Sequence, residues 1–264
     1  MKIFKYWVIE KAKVRIGQEE TEIKVYGGSN VSEADAVLTA RGKIEKVQSK
    51  IAGDTHVFET YEVEIREEIV RALDGNAIVT RNRYGAQVLN VQDLMIMDID
   101  QAKRSFWEIF KKREDDKTKI VAMVRSLAQK PGYQGCGFRV YETSKGMRVI
   151  VLGRTFDPKA PATQKMMDEF NCDTLYTFMC KKQDCFRARL TPKPSRMRLR
   201  GFKVRFPRAA EDEKAFQDWL LSYEAASRKY SVCKFIEQIG PGPVTEAVRL
   251  HDEVSGAFRD QTLA

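Results

Sequence analysis

The sequence predicts one α+β domain built on a mixed or antiparallel sheet, and three observations carry that prediction. Stretches of period-two alternation are interleaved with amphipathic helical stretches along all 264 residues. Hydrophobic residues make up 43% of the chain and aromatics 10%, enough for a sizeable core. No internal repeat, low-complexity tract or linker divides it, so a single unit over 1–264 is the simplest organisation.

Taken in order, an N-terminal β-β-α segment occupies 1–53. Strands are expected at about 3–9 and 21–26, with "IGQEETE" in or near their connection. Gly27 and Gly28 should break the second strand, and Ser32 with Asp35 resembles a capping box opening a helix over about 33–51, closed by Gly53. A strand-like "HVFETYEVEI" and a short helix near "REEIVRAL" lead to a turn at Asp74-Gly75. "AIVTRNRYGAQVLNVQDLMIMDID" reads as two strands joined near Arg81–Gly85 or Asn90–Gln92.

After Asp100 the pattern turns helical until Pro131-Gly132. "FRVYETSKGMRVIVL" is a hairpin around Ser144, Lys145 and Gly146, a helix follows near 160–170, and basic strands come next. The segment 209–264 reads as helices broken at "GPGP".

Charge is unevenly placed. The net charge is +9, yet Lys181–Arg208 alone carries eleven Lys/Arg against Asp184, leaving the remainder near neutral. A local basic excess points to a polyanion partner. No apolar run reaches the ~18 residues of a membrane span, and Lys5, Glu10 and Lys11 interrupt the N-terminal apolar stretch, so a cytoplasmic protein with no membrane partner is expected. The five cysteines lack a CxxC pair and are expected as buried free thiols, without disulfides and without zinc.

The apolar strand "LMIMDID" ends in Asp98 and Asp100, which share one face roughly 7 Å apart. Two such carboxylates repel unless a cation lies between them, and their oxygens suit Mg²⁺ or Mn²⁺. The plainer alternative is an exposed strand end with Asp100 capping the next helix. In "ETSKGMRVIVL", Ser144, Lys145 and Arg148 could hold a triphosphate, with Gly146 admitting it closely; equally, a surface turn could need Gly for φ > 0. In "FRARLTPKPSRMRLRGFKVRF" apolar and cationic residues alternate, so that Arg187, Arg189, Lys193 and Arg196 could track a nucleic-acid backbone, or form a solvated sheet face.

With these residues in order, the chain resembles the archaeo-eukaryotic primase superfamily, in particular a group of uncharacterised bacterial primase-like proteins. The resemblance runs from about Ile78 to Pro207, within a primase-like core of about 54–208. "LMIMDID" looks like the family's metal-binding Asp-x-Asp motif, "SKGMR" is similar to its nucleotide-contacting motif, and "FRARLTPKP" lies where its third motif is sought. Arg148 stands where the family carries His. No aspartate occupies the third motif, and Asp157 and Asp184 are the nearest substitutes for a further metal ligand.

The resemblance implies a DNA primase/polymerase-type nucleotidyltransferase of replication or repair. Asp98 and Asp100 would be its catalytic, metal-binding pair, and nucleoside triphosphates and single-stranded or primer-template nucleic acid its partners. The alternatives are a catalytically inactive nucleic-acid-binding protein of primase fold and a metal-dependent nuclease using the same aspartates.

Overall fold

The structure, a computed structural model, describes residues 1–53, 63–73, 76–100 and 116–264. The expected turn at Asp74-Gly75, most of the strand in "HVFETYEVEI" and the first part of the helix after Asp100 lie outside the described residues.

The chain opens with an antiparallel hairpin of β1 (Tyr6–Ile16) and β2 (Glu19–Ser29), followed by α1 (Glu33–Ile51). Both strands are longer than their apolar alternation suggests. Towards the hairpin turn, pairing continues through charged residues, with Lys11 reaching Glu22 and Lys13 reaching Glu20, each at 3.3 Å, which leaves no hydrophobic period to read. Gly27 and Gly28 lie inside β2 rather than ending it. A Cβ on Gly27 would sit 1.9 Å from the Ala36 carbonyl oxygen, so this glycine lets the buried Ala36 and Ala40 face of α1 dock directly on the strand. Ser32 caps α1 as expected, its Oγ accepting from Asp35 N at 3.1 Å, while the Asp35 carboxylate accepts from Ser29 Oγ at 2.6 Å.

Next come β3 (Glu68–Ala72), β4 (Ala77–Arg81), β5 (Gln87–Val91) and β6 (Ile96–Asp100). The helix expected at "REEIVRAL" is therefore strand β3. Its propensity is overridden by antiparallel pairing with β4, from Glu68 opposite Arg81 to Ala72 opposite Ile78. Both candidate turns in "AIVTRNRYGAQVLNVQDLMIMDID" are used, giving three strands where the sequence suggested two. The helix α2 (Asp116–Ala128) precedes the hairpin of β7 (Gly137–Thr143) and β8 (Gly146–Leu152). Then follow α3 (Pro161–Glu169), α4 (Thr174–Gln183) and β9 (Phe186–Arg189).

Of the expected basic strands only β9 forms. Pro192, Pro194 and Pro207 interrupt the alternation beyond it, and Pro194–Met197 is a 3₁₀ turn. The C-terminal segment is not purely helical: between α5 (Ala210–Ser227) and α6 (Glu246–Ser255) lie the short β10 (Tyr230–Ser231) and then β11 (Cys233–Ile239), and β12 (Thr262–Leu263) closes it.

Two antiparallel four-stranded sheets organise the molecule, ordered β3-β4-β5-β9 and β11-β7-β8-β6. One core joins them, with Leu89, Met97, Phe138, Ile150, Phe170 and Phe186 all fully buried within it. All five cysteines are buried and free, as expected. Among the described residues, no helix is long and apolar enough to cross a membrane.

Candidate phosphate and metal site

The site forms where the end of β6 meets β8, α4 and β9. In β6 the side chains of Met97 and Ile99 are buried, whereas Asp98 is half-buried and Asp100 exposed. Register places Asp98 opposite Arg148 and Asp100 opposite Gly146. Gly146 has no positive φ, so the turn does not need glycine for its dihedrals. A Cβ there would lie 2.1 Å from the Ile99 carbonyl oxygen, and glycine is what allows β8 to approach β6 beside Asp100.

Arg148 grips Asp98 with two donors, Nε to Oδ1 at 2.8 Å and Nη2 to Oδ2 at 3.3 Å. Its remaining nitrogen, Nη1, donates to the Arg189 carbonyl at 3.1 Å and lies 3.3 Å from His251 Nε2. The guanidinium is only 3% exposed. Burial alone would lower its pKa, but the charge of Asp98 and the hydrogen bonds to it, with smaller contributions from Cys233 and Tyr176, together outweigh burial and raise it. The residue expected to clamp a triphosphate is thus the internal counter-ion of Asp98, and the repulsion expected between the two aspartates is relieved at one of them by protein.

Behind Arg148 the polar network continues inward. His251 Nδ1 is 3.0 Å from Asp252 Oδ1, which also accepts from Tyr141 Oη at 2.6 Å, while Asp252 Oδ2 accepts from Arg139 Nη2 at 2.6 Å. Burial pushes the Asp252 carboxyl up, but these partners prevail and hold it below the usual range. His251, fully buried, is displaced downward by desolvation. Neither residue carried a sequence signal, because each reads as an ordinary position on an amphipathic helix.

Asp173 is a further acid that the sequence pattern does not single out. It caps α4, its Oδ1 accepting from Tyr176 N at 2.7 Å, and its own N–H donates to the Asp98 carbonyl at 2.9 Å. The available signal was a capping aspartate before "TLYTFM", in a helix absent from the sequence-based expectations. The Asp100 carboxyl is shifted upward by partial burial, then by Asp173 and Asp98, with Lys145 and Arg196 pulling the other way.

Asp98, Asp100 and Asp173 therefore share one electrostatic neighbourhood. Among the described residues no group of three or more His, Cys, Asp or Glu forms a ready-made metal cage. The donor chemistry still fits Mg²⁺ or Mn²⁺, hard ions that keep several waters and need only one or two carboxylates. The two substitutes proposed for a third ligand are engaged elsewhere. Asp184 binds the Met1 amino group at 2.7 Å and Lys159 at 3.4 Å, and Asp157 Oδ1 accepts from the Lys159 N–H at 2.8 Å.

Against these acids stand four cations. Lys145 sits in the two-residue turn between β7 and β8, Arg189 ends β9, and Lys193 and Arg196 flank or lie in the 3₁₀ turn. Burial, then Arg196 and Arg148, lower the Arg189 pKa to about 10. Lys193 is lowered by burial, Arg189, Arg196 and Lys145. Arg189 is depressed by Arg196, and Lys193 by Arg189, Arg196 and Lys145, which places the four near one another, and none of the four has a carboxylate within salt-bridge distance among the described residues. Arg189 Nε and Ser144 Oγ are moreover buried with no hydrogen-bond partner. Arg187 behaves differently. Its Nη2 is 2.5 Å from Glu67 Oε2, so it is already neutralised.

No family model, no curated protein and no solved structure matches this chain.

Proposed function

We propose that the protein is a primase/polymerase-like nucleotidyltransferase that binds nucleoside triphosphates and nucleic acid at this site. The observation that carries the reading is the juxtaposition of four cations with no salt-bridged carboxylate among the described residues, Lys145, Arg189, Lys193 and Arg196, with the carboxylates of Asp98, Asp100 and Asp173. A triphosphate brings anionic charge into direct contact with cations whose neighbouring carboxylates lie beyond salt-bridge distance, and Arg189 Nε and Ser144 Oγ are donors awaiting an acceptor. Asp98 and Asp100 are the residues that would hold Mg²⁺ or Mn²⁺. Such an ion, when bound, supplies charge neutralisation at the transferred phosphoryl group and pyrophosphate. Arg148 fixes the Asp98 rotamer for that purpose, and His251 with Asp252 fixes Arg148.

Titration calorimetry with a nucleoside triphosphate, with and without Mn²⁺, together with extension of a labelled primer-template, tests the proposal. Metal-linked nucleotide affinity and extension are expected. Equal affinity with and without metal, and no extension, would reject it. Shortening of the labelled strand instead would move the assignment to a nuclease using the same aspartates.

One observation favours a second reading. Asp98 is already neutralised by Arg148, which suits a non-catalytic nucleic-acid-binding protein of the same architecture. That reading expects salt-sensitive binding of single strands with no extension under any metal condition.

A further inference from the structure

We propose that the cleft between the N-terminal hairpin with α1 and the β3-β4-β5-β9 sheet is the path of a single-stranded nucleic acid, held by phosphate contacts and by stacking on cation-covered tyrosines. The inference rests on the proposed function and extends it, because it gives the N-terminal segment a role and places the phosphate contacts on lining cations other than Arg187, whose charge is met by Glu67.

The cleft encloses about 1260 Å³, larger than the ~300–1000 Å³ typical of small-ligand pockets. Its charge is one-sided once internal pairs are removed. Lys43 is neutralised by Glu64 at 2.6 Å and Arg187 by Glu67, while Asp98 is held by Arg148 and Asp173 caps α4. Every acid among the described lining residues is therefore engaged. Five lining cations, Lys24, Lys46, Arg66, Arg83 and Arg205, have no carboxylate partner among the described residues. A lining with unpaired cations and committed acids is complementary to a polyanion.

The aromatic lining decides which polyanion. The Arg66 guanidinium lies 3.5 Å from the Tyr26 ring centroid, and Arg83 lies 4.7 Å and Lys193 5.7 Å from that of the exposed Tyr84. Flat surfaces that pair a ring with a cation receive unstacked bases and their phosphates together. A duplex keeps its bases stacked inside, and an acidic peptide has no bases to offer. Lys193 also belongs to the cationic cluster at the acids, and Asp98 and Asp173 line the cleft, so a strand lying in it leads to the proposed reaction site.

The test is fluorescence anisotropy of a labelled oligo(dT) of about 15 nucleotides, titrated at several salt concentrations with the full chain. Lys24→Gln/Lys46→Gln/Arg83→Gln should flatten the slope of log affinity against log salt by about 2, at roughly 0.7 for each phosphate no longer neutralised. Tyr84→Leu should weaken binding roughly tenfold with the slope nearly unchanged. Thermal melting checks that both variants fold, and triphosphate calorimetry with Mn²⁺ on the same variants should match wild type.

If wild type binds oligo(dT) and both variants bind it equally well, the cleft assignment falls while the nucleotide site stands. If poly-glutamate or a duplex competes as well as oligo(dT), recognition is merely ionic and the assignment also falls. If wild type binds no oligonucleotide, both this inference and the nucleic-acid part of the proposed function are overturned. If the variants lose oligo(dT) binding but wild type shows no metal-linked triphosphate binding, the cleft stands and nucleotidyl transfer does not.

Discussion

Asp98 and Arg148 face each other in register across β6 and β8, joined by a bidentate ion pair whose guanidinium is almost completely buried. This pair makes the two aspartates of "LMIMDID" unequal. Asp98→Asn would leave Arg148 as a buried cation facing a neutral acceptor. The expected loss is about 3 kcal/mol, the low end for a broken buried pair, because the Asp98 side chain itself is 35% exposed. Urea denaturation measures it, and Asp98→Asn/Arg148→Met should recover part of the loss in a double-mutant cycle. Strict additivity of the two single changes would mean that the pair contributes nothing.

Asp100→Asn should act in the opposite direction. The folded state raises the Asp100 pKa through burial, Asp173 and Asp98, so at neutral pH its ionised form costs stability. That cost is relieved as pH falls through the raised folded value toward the unfolded one. The variant should therefore be more stable than wild type at pH 7, with an advantage that shrinks as pH falls and vanishes only below 3.8, the ordinary aspartate value. Urea midpoints at several pH values settle the sign, and a less stable variant at pH 7 would show that Asp100 has a favourable partner.

How much of this was legible depended on whether a signal was local. The end of β6, the Ser144-Lys145 turn, the Ser32 cap and the apolar face of β9 follow from period and turn chemistry, and the structure has them where the sequence placed them. Gly27 misled because glycine marks both broken strands and close approaches, and only the neighbour's position distinguishes them, while at Gly146, read as admitting a triphosphate or as a turn needing φ > 0, the close approach is that of strand β6. Arg148 read as a free phosphate ligand because nothing local shows that it pairs across the sheet with a residue fifty positions away. Asp173, His251 and Asp252 reach the site through tertiary packing, from helix positions that look ordinary in sequence.

The crowded cations give a ligand-linked prediction. Arg189 carries its charge against burial, Arg196 and Arg148, with its pKa lowered to about 10, so an anion beside it should stabilise the fold. Tripolyphosphate without metal should raise the thermal midpoint of wild type in a saturable way. Arg189→Met should raise the midpoint in the absence of anion and abolish most of the increment. Equal increments in both proteins would place the anion elsewhere. The advantage of the variant should persist at every pH below about 10, where wild-type Arg189 is charged in the folded state, and shrink above it.

Acid sensitivity should centre on His251. Its Nε2 faces the Arg148 Nη1 donor at 3.3 Å and its Nδ1 faces Asp252 Oδ1 at 3.0 Å, so the geometry suits one tautomer, with Nδ1–H donating and Nε2 accepting. A second proton would set an N–H against the guanidinium N–H. Burial first, and then the charge of Arg148, hold the pKa below its ordinary 6.5 despite the opposing pull of Asp252. As pH falls below 6.5 the unfolded chain takes up a proton that the folded chain refuses, and stability falls by up to about 1.4 kcal/mol per pH unit until the folded value is reached. Asp252, held low by His251 and Tyr141 against burial, loses its own contribution only below the ordinary aspartate value of 3.8, outside this window. His56, the other histidine, is common to both proteins and cancels in the comparison. His251→Gln should accordingly be less stable than wild type at pH 7.5 but lose less between pH 7 and 5, as read from urea midpoints. Parallel losses in the two proteins would mean that His251 accepts its proton in the folded state as readily as in the unfolded one, and that Nε2 is not the acceptor of the Arg148 donor.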